Sequence, residues 1–439
     1  MRLGDATELH RAACRPLVVH ISSNPAQAAE SGFSRQLRDV DFGGMGSTAK
    51  QRTVRLSAPA EYLAAIPHLL GFYPRDSLVL TTLHGGPEVA RLGMTARVDL
   101  PEPSCRRELA AELVRGPVSH DAPDGLLAAV VATPAADSAP DIDPAPDIDP
   151  APDIDPAPDI DPAPDIDPAE SGSDAPATVR PPDPVTGDPP HSGLVESLRH
   201  ELRTADIPLV RALWTPEIRP DGIWRCYGER WDGTVPDPRS SPLAAELAVA
   251  GAITFSSREE LAASIAPESP ETTARWSARL NLMQDEAEPH RGDATMCAAD
   301  TEAVFAAIRR TARGSPLTEE DLLRVLVALS DYRVRDLAMG IALTVWSRAA
   351  EQLWFVLVRK APEPEVADVA ALLAFSAYLR GDGALASVAL DRVERTRPAH
   401  RLGELLRRAL DSGIGPEELA VVVRDTAVDA RLMIEQEET

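Results

Sequence analysis

Residues 56–83 read LSAPAEYLAAIPHLLGFYPRDSLVLTTL, and two hydrophobic periods meet there across a polar loop. Tyr62, Leu63, Ile66 and Leu69/Leu70 recur at three-to-four spacing. Ser57 stands before them as a candidate cap, with Pro59 and Glu61 in the first turn. This predicts an amphipathic helix, broken by Gly71 and Pro74. Ser77 to Leu83 is a β-branched and aliphatic run ending at the turn signal His84-Gly85-Gly86, which predicts a buried strand. A short strand, Thr53–Leu56, is expected ahead of the helix. Val89 to Leu100 partly alternates between two prolines and should pair with the second strand as a hairpin. From Pro101 to Leu113 a helical period returns, with Ser104 as candidate cap. Gly125 to Ala132 is a continuous apolar run of the kind found in strands covered on both faces. The order is βαββαβ.

The patterning then stops. Residues 139–168 are APDIDP repeated five times, flanked to Pro190 by more Pro, Asp, Ser and Gly. Proline at every third position forbids helix and removes ladder donors, and the aspartates repel one another, so a disordered, extended, solvated tether is expected. At about 3.1 Å per residue it reaches roughly 90 Å. The D-I-D motif invites a calcium reading, but a calcium site needs converging oxygens and a turn glycine that a stiff proline-rich rod lacks.

Patterning resumes near Ser192. Leu194, Val195, Leu198 and Leu202 form a helical stripe, Ile207 to Trp214 a strand, and Gly222 to Tyr227 a further edge strand. A strand-helix pair this short cannot stand alone, so the acidic repeat is read as an insertion within one α/β domain. Helices are expected over 242–251 and 258–265, capped in the second case by Ser256 or Ser257. A polar amphipathic helix should cover about 270–291, and from 299 to 435 the pattern is almost wholly helical. Thr318-Glu319-Glu320-Asp321 resembles a capping box. Ala370 to Val393 has the small-large-small spacing of a tetratricopeptide-like helix pair, although one unit and not three is visible. Gly381-Asp382-Gly383 has the glycine spacing of a dinucleotide loop but joins two helices and follows no strand.

The fold class expected is therefore an α/β amino-terminal domain (mixed sheet with helices), interrupted by a disordered acidic Pro/Asp insertion and followed by an all-α carboxyl-terminal domain. The boundaries are a disordered tail over 1–52, the α/β domain over 53–133 plus 193–268, the insertion over 134–192 and the helical domain over 299–439. The hairpin falls near 366–398. Met45 stands just ahead of the first expected strand and is an alternative translation start.

Composition adjusts this picture modestly. The hydrophobic fraction of 44% is inflated by alanine and aromatics are only 4%, which favours helix. A net charge of −25 argues against nucleic acid and against anionic membrane as partners, and leaves a protein partner through the helical domain open. The four cysteines are far apart, without C-x-x-C or clustered histidines, so neither zinc nor a disulfide framework is indicated and no cofactor is expected. No signal-peptide h-region or membrane-length apolar stretch occurs, and a cytoplasmic location is the expectation.

The stretch L-x-A-P-A-E-Y-L-A-A-I-P-H-L-L-G-F-Y-P-R-D-S-L-V, with A-R-V-D-L-P at 96–101, resembles the signature of the actinobacterial domain-of-unknown-function family 4192. The Trp214 region, the segments at 240–263 and the segment at 372–392 are also similar to that family. The resemblance spans roughly 53–133 and 193–420. It implies an architecture and a host group, but no activity. Family members often carry a cysteine cluster ending in C-C-P after the Trp-Tyr strand. Here Trp224-Arg225-Cys226-Tyr227 has no second cysteine, so a metal or redox role built on that cluster is not carried over.

Candidate chemistry concentrates in the loop 71–77. His68, Tyr73, Arg75, Asp76 and Ser77 lie within a few residues, and Arg97 and Asp99 enter from the neighbouring strand. An arginine there can hold an anion, an aspartate can serve as base, and Ser77 or Tyr73 as donor. The same residues also read as structural, with Phe72 and Tyr73 plugging the core edge and Arg97 pairing with Asp99. Two functions follow: a non-catalytic protein-interaction or scaffold protein, or a small-ligand-binding protein or enzyme with its site in the 68–77 loop.

Overall fold

The computed structural model describes residues 20–22, 58–85, 90–134, 189–249, 252–290 and 292–437. The repeat 139–168 and the expected strand Thr53–Leu56 lie outside the described residues, as does Met45. The amino-terminal part runs β1 (His20–Ser22), α1 (Pro59–Leu70), β2 (Ser77–His84), β3 (Arg91–Asp99), α2 (Arg106–Leu113) and β4 (Gly125–Val131). After the insertion come α3 (Ser192–Thr204), β5 (Leu209–Thr215), β6 (Ile223–Cys226) and β7 (Asp232–Thr234). The strands make one seven-stranded sheet in the order β1-β3-β2-β4-β5-β6-β7. All pairs are antiparallel except β4 with β5.

The parallel pair explains the unbroken apolar run in β4. Leu126 and Ala128 to Val131 are buried, because a parallel strand reached by a crossover helix is covered on both faces. Residues 134–188 fall inside that crossover, and β5 pairs with β4 in spite of them. Alternation along β2 assigns the two faces of the sheet. Tyr62 of α1 donates to Thr81 at 3.0 Å on one face, whereas Thr82 donates to Asp121, just beyond α2, at 2.5 Å on the other. Arg97 and Thr95 are cross-strand neighbours of Val79 and Thr81, and so share the α1 face.

Two local features differ from the expectation. The cap of α1 is Ala58, one residue later than Ser57, with Pro59 fixing the first helical φ and Glu61 reaching back to the Ala58 amide at 3.3 Å. Within the stretch read as an unstructured tail, His20–Ser22 pairs antiparallel with β3, His20 opposite Arg97. Three residues carry too little periodicity to register as a strand in the sequence.

The remaining helices are α4 (Pro242–Val249), α5 (Arg258–Ser264), α6 (Pro270–Ala287), α7 (Ala294–Ala312), α8 (Glu319–Ala328), α9 (Tyr332–Ile341) and α10 (Ser347–Lys360). They continue with α11 (Val366–Leu379), α12 (Gly383–Thr396), α13 (Arg401–Asp411) and α14 (Pro416–Glu437). Helix α11 is apolar all round and forms the interior of the bundle, buried from Val366 to Tyr378. Gly381, in the left-handed region, turns the chain into α12, whose first turn Asp382 caps through the Leu385 amide at 2.9 Å. The Thr318 capping box forms, with the Thr318 amide on Asp321 at 2.7 Å and the Asp321 amide on Thr318 at 3.2 Å.

Sheet and bundle share one core, and the residues on either side of 134–188 cluster as one compact unit. Polar contacts tie them together. Arg392 donates to the Ile265 carbonyl at 2.6 Å, the Glu268 amide to Arg359 at 2.8 Å, and Lys360 pairs with Glu268 at 2.9 Å.

Asp411, the last residue of α13, has a buried Oδ1 with no hydrogen-bond partner. Burial, reinforced by Glu394 and Asp391, raises its pKa to about 6 against the pull of Arg407. A raised folded pKa adds stability below the unfolded value of about 4, and that stability is lost as pH rises through about 6. Asp411→Asn is therefore expected to flatten the pH 4–6 limb of the stability profile. At pH 7 it should raise stability by about 1–2 kcal/mol, once solvent screening of a partly exposed group is allowed for. Urea denaturation across pH 4–7 checks this, and parallel profiles for the two proteins would refute it.

Candidate functional site

The structure sends the seven candidate residues to different places. Ser77, Arg97 and Asp99 come together at one end of the sheet, where Ser77 is paired with Asp99 in the β2–β3 register. Ser77 is fully buried; its hydroxyl donates to the Arg75 carbonyl at 2.5 Å and accepts from Arg97 Nε at 2.7 Å. The hydroxyl proton is committed to the Arg75 carbonyl, and the neighbouring carboxylate, Asp99, is held by Arg97. Arg97 is 8% exposed and reaches the Arg75 carbonyl at 3.4 Å and the exposed Asp99 as an ion pair. Burial lowers the Arg97 pKa, and Arg258 adds to this while Asp99 opposes it.

The rest of the loop is held by its backbone. The Tyr73 amide donates to Phe255 at 3.1 Å and the Phe255 amide to Gly71 at 2.8 Å, making a bridge between Phe72 and Phe255. Asp76 sits in the left-handed region at φ 43°, and its carbonyl accepts from the Leu100 amide at 3.0 Å. The Arg75 and Asp76 side chains point to solvent, and Tyr73 packs half-buried against the core.

Arg97 and Asp99 open onto a cavity of about 550 Å3 that is otherwise lined by Arg258 and Glu259 of α5 and by Asp391, Glu394 and Arg395 of α12. Every lining residue is ionisable. Arg258 pairs with Asp391, and Arg407 of α13 holds Asp391 at 2.6 Å and Glu394 at 2.7 Å. Glu259 titrates below its ordinary range, chiefly through a hydrogen bond from Ser257. This is an ion-pair seam between sheet and bundle. Its α5 and α12 members lie far along the chain from Arg97, and charged positions on a helix face carry no sign of which strand they will meet.

His68 belongs elsewhere. Its Nε2 donates to the Pro238 carbonyl at 2.8 Å, so Nδ1 is the acceptor, taking the Thr254 hydroxyl at 2.9 Å. Both ring nitrogens are engaged, which makes His68 a brace between α1 and the 238–254 segment. It borders a cleft of about 710 Å3 between the sheet part and the bundle. Leu69, Leu247, Phe255, Phe355 and Leu385 supply apolar walls, and Arg348, Glu351, Gln352, Arg380 and Asp382 a polar end. Arg380 is bidentate to Glu351, at 3.0 and 2.8 Å, and also pairs with Asp382 at 3.1 Å. In the sequence these residues show only as amphipathic stripes.

Among the described residues, no group of three or more His, Cys, Asp or Glu is arranged to hold a metal ion, and no helix is long and apolar enough to cross a membrane. Cys226 and Cys297 are free and buried, and burial pushes the Cys297 thiol up to about 11. Cys105 is disulfide-bonded, contrary to the reading from cysteine spacing. A bridge depends on approach in space, which separation along the chain does not report.

No curated protein and no solved structure matches this chain. The family model described as domain of unknown function (DUF4192) matches residues 59–417, which takes in α1, every strand from β2 to β7 and the bundle into α14, and the chain belongs to that family.

Proposed function

We propose that this protein is a small-ligand-binding protein whose site is the cleft between sheet and bundle, and that the ligand is an amphiphile with an apolar body and an uncharged or zwitterionic head. The cleft itself carries the reading. Its volume of about 710 Å3 falls within the range of small-molecule sites, and its walls are mainly apolar, with the charged groups together at the Arg348–Asp382 end and His68, Thr95, Thr254 and Ser264 as further polar lining. At that end Arg348 and Arg380 stand against Glu351 and Asp382, so no net charge selects an ionic head. The Gln352 amide is exposed there and able to hydrogen-bond.

A protein partner bound through residues 299–439 is the competing reading. The α11–α12 hairpin supports it poorly, because α11 is buried from Val366 to Tyr378 and lends no face to a groove. The catalytic form of the loop reading is also weakened by the spent hydroxyl of Ser77 and the engaged nitrogens of His68.

The test compares octanol, octanoate and octylamine by thermal shift, on the full chain and on Ala252→Trp. Ala252 is an exposed lining residue, so the indole fills the cleft without entering the core. Octanol is expected to raise the melting midpoint with concentration, by mass action, and to exceed both charged analogues. Ala252→Trp should keep the ligand-free midpoint and lose the shift. An equal shift in the variant would sink the assignment.

A further inference from the structure

The ion-pair seam between β3, α5 and α12 spends most of its charges, but not all of them. Arg258 is paired with Asp391, and Arg407 holds Asp391 and Glu394 from outside the cavity. Arg97, only 8% exposed, is partly spent: its Nε donates to Ser77, and its Nη2 to the Arg75 carbonyl and to Asp99. A guanidinium carries five donors, and the pair on Nη1 reaches no partner among the described residues. Nη1 is not sealed off either, so it opens onto the cavity that Arg97 lines.

Two further lining groups are unspent. Glu259 makes no ion pair among the described residues, and its carboxylate is held in place by hydrogen bonds from Ser257 and from its own amide. Arg395 uses only its Nε, on the Asp391 carbonyl at 3.3 Å, which leaves the end of its guanidinium open. Arg97 and Glu259 are near enough for each to favour the charged form of the other, yet they form no ion pair. A buried guanidinium with open donors and a fixed carboxylate therefore line one cavity of about 550 Å3 without meeting.

Charge balance narrows the occupant. Four carboxylates, Asp99, Glu259, Asp391 and Glu394, are offset by four arginines once Arg407 is included. That balance favours neither a bare anion nor a bare cation. No apolar residue lines the cavity, so an alkyl body gains nothing there. A solute with both charges close together gains from each.

We propose that this cavity binds a free α-amino acid with a polar, uncharged side chain, at a site separate from the amphiphile cleft. The ligand carboxylate accepts from Arg97 Nη1 and from Arg395, and the ammonium donates to Glu259. Arg97 is the fixed anchor, because Ser77 and the Arg75 carbonyl hold its plane. Glu259 and Arg395 arrive from α5 and α12, so the ligand bridges sheet and bundle.

Isothermal titration of the full chain with L-glutamine at low salt tests this, against N-acetylglutamine, which lacks the ammonium, and glutaminamide, which lacks the carboxylate. Glutamine is expected to bind at least tenfold more tightly than either. Glu259→Gln and Arg395→Gln change exposed side chains, so both should keep the ligand-free melting midpoint while weakening glutamine binding at least tenfold. Ala252→Trp, which fills the other cleft, should bind glutamine as the wild type does. The site is overturned by glutamine affinity equal in wild type and either glutamine variant, by a one-ended analogue binding as tightly as glutamine, or by no binding at millimolar concentration. Loss of binding in Ala252→Trp would place glutamine in the amphiphile cleft and overturn it equally. So would a lower ligand-free midpoint in both variants, which would mark Glu259 and Arg395 as struts of the seam.

Discussion

Replacing Asp368 with alanine is expected to lower stability by about 3–5 kcal/mol, the range seen when one partner of a buried charge network is removed. Asp368 lies in α11, and its carboxylate joins three segments of the bundle. Oδ1 accepts from Arg335 and from His400 Nε2, both at 3.0 Å, and Oδ2 accepts from Arg397 at 3.2 Å. His400 is 3% exposed, and its Nδ1 accepts the Gly403 amide at 3.0 Å as the cap of α13. That bond fixes the tautomer, with the proton on Nε2, so loss of the carboxylate leaves a buried donor orphaned and Arg397 without its anion, while Arg335 keeps Asp336 at 3.2 Å. Burial alone would raise the Asp368 pKa, but hydrogen bonds from His400 and Arg335 outweigh it and the pKa is lowered. A lowered folded pKa means that the contribution is present above the unfolded value of about 4 and is lost as pH falls through the folded one. The gap between wild type and Asp368→Ala should accordingly be full at pH 7 and shrink in acid. Urea midpoints at pH 7 and pH 3 measure both, and a difference under about 1 kcal/mol at pH 7 would remove the network from the account.

Gly413→Ala is the second large effect, expected at about 2–5 kcal/mol. Gly413 turns the chain between α13 and α14 at φ +70°, where an L-residue costs about 1–2 kcal/mol. Its new Cβ would also lie 2.8 Å from Pro117 Cα and 3.2 Å from the Pro117 carbonyl oxygen. Those atoms belong to the irregular turn Val114–Val118 after α2, a proline backbone that cannot swing aside, which adds about 1–3 kcal/mol of overpacking. Tyr378 pins the opposite side of the loop by donating to the Ala409 carbonyl at 3.2 Å and to Ile414. Gly314 supplies the control. It has φ +67° but nothing within 4 Å of its Cβ position, so Gly314→Ala carries only the conformational share. Equal losses from the two substitutions, measured by urea denaturation, would show that the contact with Pro117 is not held tightly.

Most of the fold is legible in the residues because its elements bury one face each. The three-to-four stripe of Tyr62 to Leu70, the β-branched run from Ser77 and the doubly apolar run of β4 each point to a single element. Helix α11 announces its burial by having no polar face. Elements without such a face are harder. Neither β1 nor β7 exceeds three residues, and both lie at the sheet edges.

The site is less legible, for a different physical reason. Nearness along the chain suggests one pocket from His68 to Ser77, but the left-handed turn at Gly71 and the buried Phe72 direct the two ends to different cavities. Arg97 and Asp99 do meet Ser77, because a fixed strand register is a short-range consequence of patterning. Their partners Arg258 and Asp391, like Phe355 and Arg380 in the cleft, arrive from helices whose docking is decided by apolar faces.

The central claim is that a small amphiphile occupies the cleft between sheet and bundle, and amide hydrogen exchange with and without octanol addresses it most directly. Added protection is expected in peptides covering 68–71, 252–255 and 348–355, whose residues line the cleft. Protection confined to peptides around Arg97, Glu259 and Arg395, or no added protection at an octanol concentration that raises the melting midpoint, would contradict it.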